Sequence, residues 1–484
     1  VNFTEFSFWW FLLLAGSPLF TLRFIFKRLE YWHQKADSYL LAFLSLALFW
    51  NAARYSFIIF VSELIANYLA VNVLIKTSPK KARWIALGII VLDLSVLVYY
   101  KYVVFLLQGV LSPLANVIPF LDIILPASLD QGGFQITGIP PGISFYTFQM
   151  VGFVVDSLKS NHSKNVSLIN YINFASFFPQ VVAGPIERRS DLLPQIQEFK
   201  FKFTIKQFED GFQWLILGLF MKLVLADNIA AYILLDESRN PWLIWLGIVL
   251  FGFRIYFDFA GYSLIALGIA KVIGVKLTLN FEGPYISQNI QEFWRRWHVT
   301  LSSWFRDYIY IPLGGSRVPW APFNLFIVFA ISGLWHGAGW NFIVWGAYHG
   351  LLLVGHRYLK NYIRLPAFLN WLLTNFSVFV GWLFFMDPDF GRIITKVKSM
   401  LTPSAYNINS ARQAWQTFSD IEQGTMMLSL ALVSAILISE HLSARRKDVD
   451  VYYLLRSSWV TPLLIGATLL FSASTATDFI YFEF

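Results

Sequence analysis

The chain has 484 residues, 57% of them hydrophobic and only 14% charged, where soluble domains carry about 25% charged residues; too few charges are present to cover a water-soluble surface of that size. Lys and Arg outnumber Asp and Glu by 37 to 29, a net charge of +8, but they fall in short clusters between apolar runs, such as Lys27-Arg28, Lys80-Lys81 with Arg83, and Arg445-Arg446-Lys447. Clusters of that kind mark cytoplasmic loops and exclude nucleic acid as a partner, and the absence of cysteine excludes disulfides, thiolate metal sites and a Cys nucleophile.

In chain order, the first apolar run covers Phe6 to Phe26, after Glu5 and before Lys27 and Arg28. That charge order is the reverse of a secretory signal peptide and predicts a first span with its N-terminus outside. Further runs follow at Tyr55–Ile75, Trp84–Leu107, Phe212–Leu234 and Trp242–Ile273, then at Phe323–Trp335, Phe342–Val354, Phe368–Phe385, Met426–Ile438 and Val460–Ser472. With near twenty residues needed per crossing, roughly ten to twelve spans are expected. No polar linker separates them, so the expectation is one all-α, polytopic transmembrane helical bundle over residues 1–484 in a single domain, in contact with the lipid bilayer.

Two polar interruptions, Ser112–Pro141 and Asp387–Gln423, read as connecting loops on the outer side. The stretch Ile290–Pro312 is different. Its apolar residues Phe293, Trp294, Trp297, Leu301, Trp304, Phe305 and Tyr308 recur every three or four positions, with Arg295, Arg296, Arg306 and Asp307 on other faces. This predicts an amphipathic helix at the cytoplasmic interface.

Among seven histidines, His33, His162 and His441 lie near loops or span ends, and His356 precedes Arg357 at a span end. His336 stands within Ser332-Gly-Leu-Trp-His-Gly-Ala-Gly-Trp340, an ionisable group among small residues in apolar sequence. It reads either as a neutral core histidine bonded to a carbonyl of a neighbouring helix or as a general base that deprotonates a hydroxyl. His349 reads as a helix-packing hydrogen-bond donor, and His298 as an interfacial histidine beside arginines. Arg254 and Asp258, four apart, are placed to pair on one helix face. Glu63, Asp93 and Asp156 are isolated acids in apolar runs and support a rival, non-enzymatic transporter reading. Arg295, Arg296, Arg306 and Arg317 are placed to meet phosphates of a cytosolic cofactor or simply to anchor the cytoplasmic face. Scattered histidines have no metal-ligand spacing, and no metal is expected.

The run from Glu292 to Arg317, Glu-Phe-Trp-Arg-Arg-Trp-His-Val-Thr-Leu-Ser-Ser-Trp-Phe-Arg-Asp-Tyr-Ile-Tyr-Ile-Pro-Leu-Gly-Gly-Ser-Arg, resembles the signature of bacterial membrane-bound O-acyltransferases. Gly333-Leu-Trp-His-Gly337 resembles the family's second signature, and Gln180–Ile186, Tyr256–Ser263 and Phe479–Phe482 are similar further pieces. The resemblance is to the alginate-acetylating branch, from which Leu264 departs where Asp is frequent. It implies a central funnel, interfacial helices, an essential histidine falling on His336 and a second polar position falling on His298. It also implies acetyl-CoA as acyl donor with no permanently bound cofactor, a periplasmic acetyltransferase partner and a polysaccharide hydroxyl as acceptor. The bacterial inner membrane is the implied location. Peptidoglycan acetylation and D-alanyl transfer to teichoic acid are sibling expectations.

Overall fold

The structure is a computed structural model that describes residues 3, 6–28, 36–115, 138–159, 165–202, 204–234, 238–473, 477 and 479–482. Among these residues every regular element is helical. A chain crossing hydrocarbon must satisfy each backbone N–H and C=O within its own segment, which helices do. Seven helical stretches are long and apolar enough to cross a membrane: Ser7–Ile25, Ala36–Leu74, Pro79–Tyr102, Ile205–Ala230, Pro241–Ile273, Ala367–Met386 and Asp420–Ala444. Shorter apolar helices cover Phe105–Leu114, Ala321–His336 and Val460–Phe471. The protein is a multi-pass membrane protein. Its helices present Phe24, Trp84, Leu463, Leu469 and Leu470 outward, an apolar exposure that lipid accepts and water would not.

The chain divides into two compact units, Val1–Gly211 with Ala266–Thr278, and Phe212–Ile265 with Leu279–Phe484. In the first, Asp37 ties three segments together: it pairs with Arg23 at 2.6 Å and accepts the Phe201 N–H at 3.0 Å. Glu187, which directly follows the buried segment Gln180–Ile186, accepts the backbone N–H of Thr278 at 2.6 Å and its hydroxyl at 3.1 Å. Burial pushes the Glu187 carboxyl up to about 7 against the lowering effect of those two bonds.

In the second unit, helices Ala321–His336 and Trp340–Leu359 form a tight antiparallel hairpin. A Cβ on Gly333 would meet the Phe342 carbonyl oxygen at 2.1 Å, and one on Gly346 would meet the Phe329 carbonyl oxygen at 2.2 Å. The two backbones therefore touch, as small residues allow between membrane helices.

Several expectations need correction. The stretch Ile290–Pro312 is not one amphipathic helix. It forms Ile290–Arg296 and Val299–Phe305, broken at Trp297–His298, then a π-turn over Arg306–Tyr310. The apolar period survives the break because Phe293, Trp294, Trp297, Leu301, Trp304 and Phe305 are all buried. Of the loop Asp387–Gln423, much is helical: Phe390–Met400 and Ile408–Gln416, capped by Asp389 and Asn407. Most of the Ser112–Pro141 interruption, with His33 and His162, lies outside the described residues.

Candidate active site

His336 is the last residue of its helix, at the corner of the hairpin, and is 2% exposed. Four aromatic rings surround its imidazole: Trp335 at 4.9 Å, Trp345 at 5.0 Å, Phe385 at 5.4 Å and Tyr481 at 5.6 Å between centroids. They come from its own helix, the partner helix of the hairpin, the Ala367–Met386 helix and the C-terminal segment. Such a wall excludes water and keeps the imidazole in apolar surroundings.

His298 occupies the break before Val299. It adopts a left-handed conformation, φ 44° and ψ 56°, a strained state for a side-chain-bearing residue that the surroundings must enforce. Asn280 supplies the means: its carbonyl accepts the Val299 N–H at 2.9 Å, and its side-chain oxygen accepts the Thr300 hydroxyl at 2.7 Å. His298 is buried against Phe259, 4.7 Å away, and Trp335, 6.0 Å away. Burial pushes its imidazole down to about 3, so it stays neutral at physiological pH.

Trp335 therefore stands between His298 and His336. Trp345 repeats the arrangement, with its ring 5.0 Å from His336 and 5.0 Å from His349. His298, His336 and His349 are thus linked through ring contacts with two shared indoles, Trp335 and Trp345. The expected hydrogen bond from His349 is not made. Its ring is 0% exposed and packs against Trp294, Trp345 and Tyr348, and neither ring nitrogen has a hydrogen-bond partner among the described residues.

In the sequence the C-terminal segment is a family-like piece, Phe479–Phe482, with no signal that places it beside His336. The Asp258 carboxylate accepts the Ile480 N–H at 2.7 Å. Asp258 does not take the expected Arg254 as its ion-pair partner; it pairs with Lys222 at 2.7 Å. Lys222 also pairs with Asp227 at 2.7 Å and donates to the Thr477 carbonyl at 2.9 Å, while the Thr477 hydroxyl donates to Asp227 at 2.6 Å. This buried charged knot holds the residues around Tyr481. A lysine inside an apolar run was the available signal for it, overlooked because its acids lie five and thirty-six positions further along the chain. Asn341, which flanks the hairpin corner, donates to the Phe384 carbonyl at 3.2 Å and serves packing.

Of the four arginines expected near a donor's phosphates, three have described surroundings. Arg296 pairs with Glu292 at 3.0 Å and donates to the Glu282 carbonyl, Arg306 pairs with Asp307 at 2.7 Å, and Arg295 is exposed. None of them lines the cavity of about 540 Å³ found at the far end of the Trp340–Leu359 helix. That cavity is lined by His356, Arg357 and Lys360 together with Gln291, Tyr310, Ser316, Leu325 and Leu353. From Trp345 to His356 the helix rises about 17 Å.

The family profile described as the membrane-bound O-acyltransferase family matches residues 1–386. The chain belongs to the membrane-bound O-acyltransferase family. It is similar to a peptidoglycan O-acetyltransferase of Helicobacter pylori, 30% identical and covering 98% of both chains. A protein of Pseudomonas aeruginosa named probable alginate O-acetylase is 35% identical over 73% of this chain and 66% of its own. A teichoic acid D-alanyltransferase of Streptococcus thermophilus is 32% identical over 44% of this chain and 55% of its own. The protein is thus an O-acyltransferase, and the transporter reading gives way to an enzymatic one.

Proposed function

We propose that this enzyme moves an acetyl group from a cytosolic thioester, acetyl-CoA, to a hydroxyl of a cell-envelope glycan, with His336 as general base. The observation that carries the reading is the enclosure of His336 in an aromatic wall at one end of a helix whose other end bears a cationic cavity. His356, Arg357 and Lys360 suit the phosphates of a donor, and the basic cluster suits the cytoplasmic face of the inner membrane. A flexible donor arm would bring the thioester through the intervening helix length.

At His336 the acceptor hydroxyl gives its proton to the imidazole while its oxygen bonds to the acetyl carbon. The carbon–sulfur bond then breaks, and the imidazole returns the proton to the departing thiolate. Every proton is accounted for, and no metal takes part in these steps. Excluding water from the site protects the thioester from hydrolysis. His298, neutral and held in a strained turn, positions Trp335 against His336.

The relative matched along nearly its whole length is named for peptidoglycan and another for alginate; both are glycans with free hydroxyls, and a separate periplasmic transferase would deliver the group to the polymer. The test supplies purified protein in lipid, with a periplasmic acetyltransferase present and absent, labelled acetyl-CoA and either peptidoglycan fragments or a polyuronate. Label on a glycan supports the reading. Label taken only from a D-alanyl carrier protein would replace it with the D-alanyl alternative.

A further inference from the structure

Glu63 and Asp93 read as scattered acids in the sequence, yet the first unit brings them to one place. They belong to helices Phe57–Leu74 and Pro79–Leu97, are 3% and 0% exposed, and lie on two stretches long enough to cross the membrane. Asn67, itself 0% exposed, joins the two helices: its amide nitrogen donates across to the Asp93 carboxylate at 2.8 Å and, within its own helix, to the Glu63 main-chain carbonyl at 3.0 Å. The other packed helices contribute two phenols. Tyr146 of Ile143–Lys159 lies beside Glu63, and Tyr171 of Leu168–Ala175 interacts electrostatically with both acids. Tyr100 is the one further titratable group acting on Tyr146.

The group has an excess of acceptors. Against the Tyr146 phenol, which acts on Glu63 as a hydrogen-bond donor, stand two Glu63 oxygens, Asp93 Oδ2 and the Asn67 side-chain oxygen, with no other donor placed on them among the described residues. The Asn67 amide is fixed by the bonds its nitrogen makes, to Asp93, to the Glu63 main-chain carbonyl and to Met150 Sδ at 3.7 Å, and its buried oxygen is left without a donor among the described residues. Two adjacent carboxylates buried among membrane helices are costly when both are charged. One positive charge placed among those oxygens removes most of that cost.

We propose that Glu63, Asn67 and Asp93 form a binding site for one monovalent cation, a proton or a sodium ion, within the first unit. A proton would sit on one carboxyl and be shared toward the other. A sodium ion would take its oxygens from all three side chains, as hard cations do.

The test uses the full chain in lipid nanodiscs, following thermal unfolding from about pH 5 to about pH 9 in choline chloride and in sodium chloride at equal ionic strength. The expected result for the wild type in choline is a melting temperature that falls by several degrees as pH rises, because the bound positive charge is lost. Recovery on adding sodium identifies sodium as an occupant; no recovery identifies the proton alone. Glu63→Gln and Asp93→Asn each remove the need for the cation and flatten both responses. A second measurement needs no variant: labelling of Glu63 or Asp93 by a hydrophobic carbodiimide, read by mass spectrometry, requires a protonated carboxyl and declines at alkaline pH or with sodium. A wild type whose pH and sodium responses match those of both variants, with carbodiimide labelling indifferent to both conditions, would overturn the proposal.

Discussion

The carboxylate of Asp258 accepts the main-chain N–H of Ile480 at 2.7 Å, and the next residue, Tyr481, places its ring 5.6 Å from that of His336. A buried acid in the middle of a membrane helix thus sets the position of an aromatic wall of the site. Asp258→Ala should release the C-terminal segment and strand Lys222 beside Asp227 alone. Losing one partner of a buried ion pair costs about 3–5 kcal/mol. Acetyl transfer is expected to fall at least as far as thermal stability, and limited proteolysis should reach the C-terminus. Asp258→Asn, which keeps an acceptor for Ile480, should retain more activity than Asp258→Ala. Equal activity in wild type and Asp258→Ala would show that the segment is placed by other contacts.

At the cationic cavity the expected effect is on the donor. Arg357→Ala or Lys360→Ala should raise the KM for acetyl-CoA about tenfold, the loss of one charge-assisted hydrogen bond of about 1.5 kcal/mol, with kcat nearly unchanged. Steady-state kinetics at saturating acceptor checks this. Arg295→Ala, Arg296→Ala and Arg306→Ala, whose side chains do not line the cavity, should change the KM little.

Glu187 gives the fold a pH dependence of defined sign. Its folded carboxyl is raised to about 7 by burial, above its unfolded range near 4.3. The protonated form is therefore favoured on folding. This contribution is complete below about pH 4 and is lost as pH rises through about 7. Glu187→Gln should flatten the stability curve between those limits, by about 3–4 kcal/mol. Unfolding followed from acid to mildly alkaline pH would show it, and parallel curves for wild type and variant would contradict it.

The hairpin carrying His336 should tolerate no added side chain at its crossing. Gly333→Ala and Gly346→Ala each drive a methyl group into a main-chain oxygen, so each should cost at least about 1–3 kcal/mol as overpacking. Lower melting temperatures and lower activity together would follow, since the same hairpin positions His336. Gly355→Ala, on the same helix with open space around it, is the control and should change neither.

The membrane character and most helix limits were legible because they rest on a local signal, long apolar runs; His336 stands out in the sequence as one ionisable group among small residues, and the structure buries it among aromatic rings. What was not legible depended on the chain folding back on itself. The break at His298 was hidden because the apolar period runs through it, and only the left-handed backbone, held by Asn280 some eighteen positions earlier, turns the helix there. Arg254 was a near neighbour of Asp258 in sequence, but the true partner, Lys222, lies on another helix. Glu63 and Asp93 share no spacing, and only helix packing through Asn67 makes them a pair. Of the cavity residues, His356 and Arg357 read in the sequence as a span end, which they also are, and Lys360 directly follows that helix.

The most direct measurement is acetyl transfer from acetyl-CoA by the purified enzyme in lipid, wild type beside His336→Ala, with thermal unfolding and donor binding measured on both. A lost general base lowers turnover by about 10²–10⁴-fold, and that loss is expected with the melting temperature and donor affinity unchanged. His336→Ala turning over at the wild-type rate would contradict the assignment of His336 as the base and, with it, the central claim about this site.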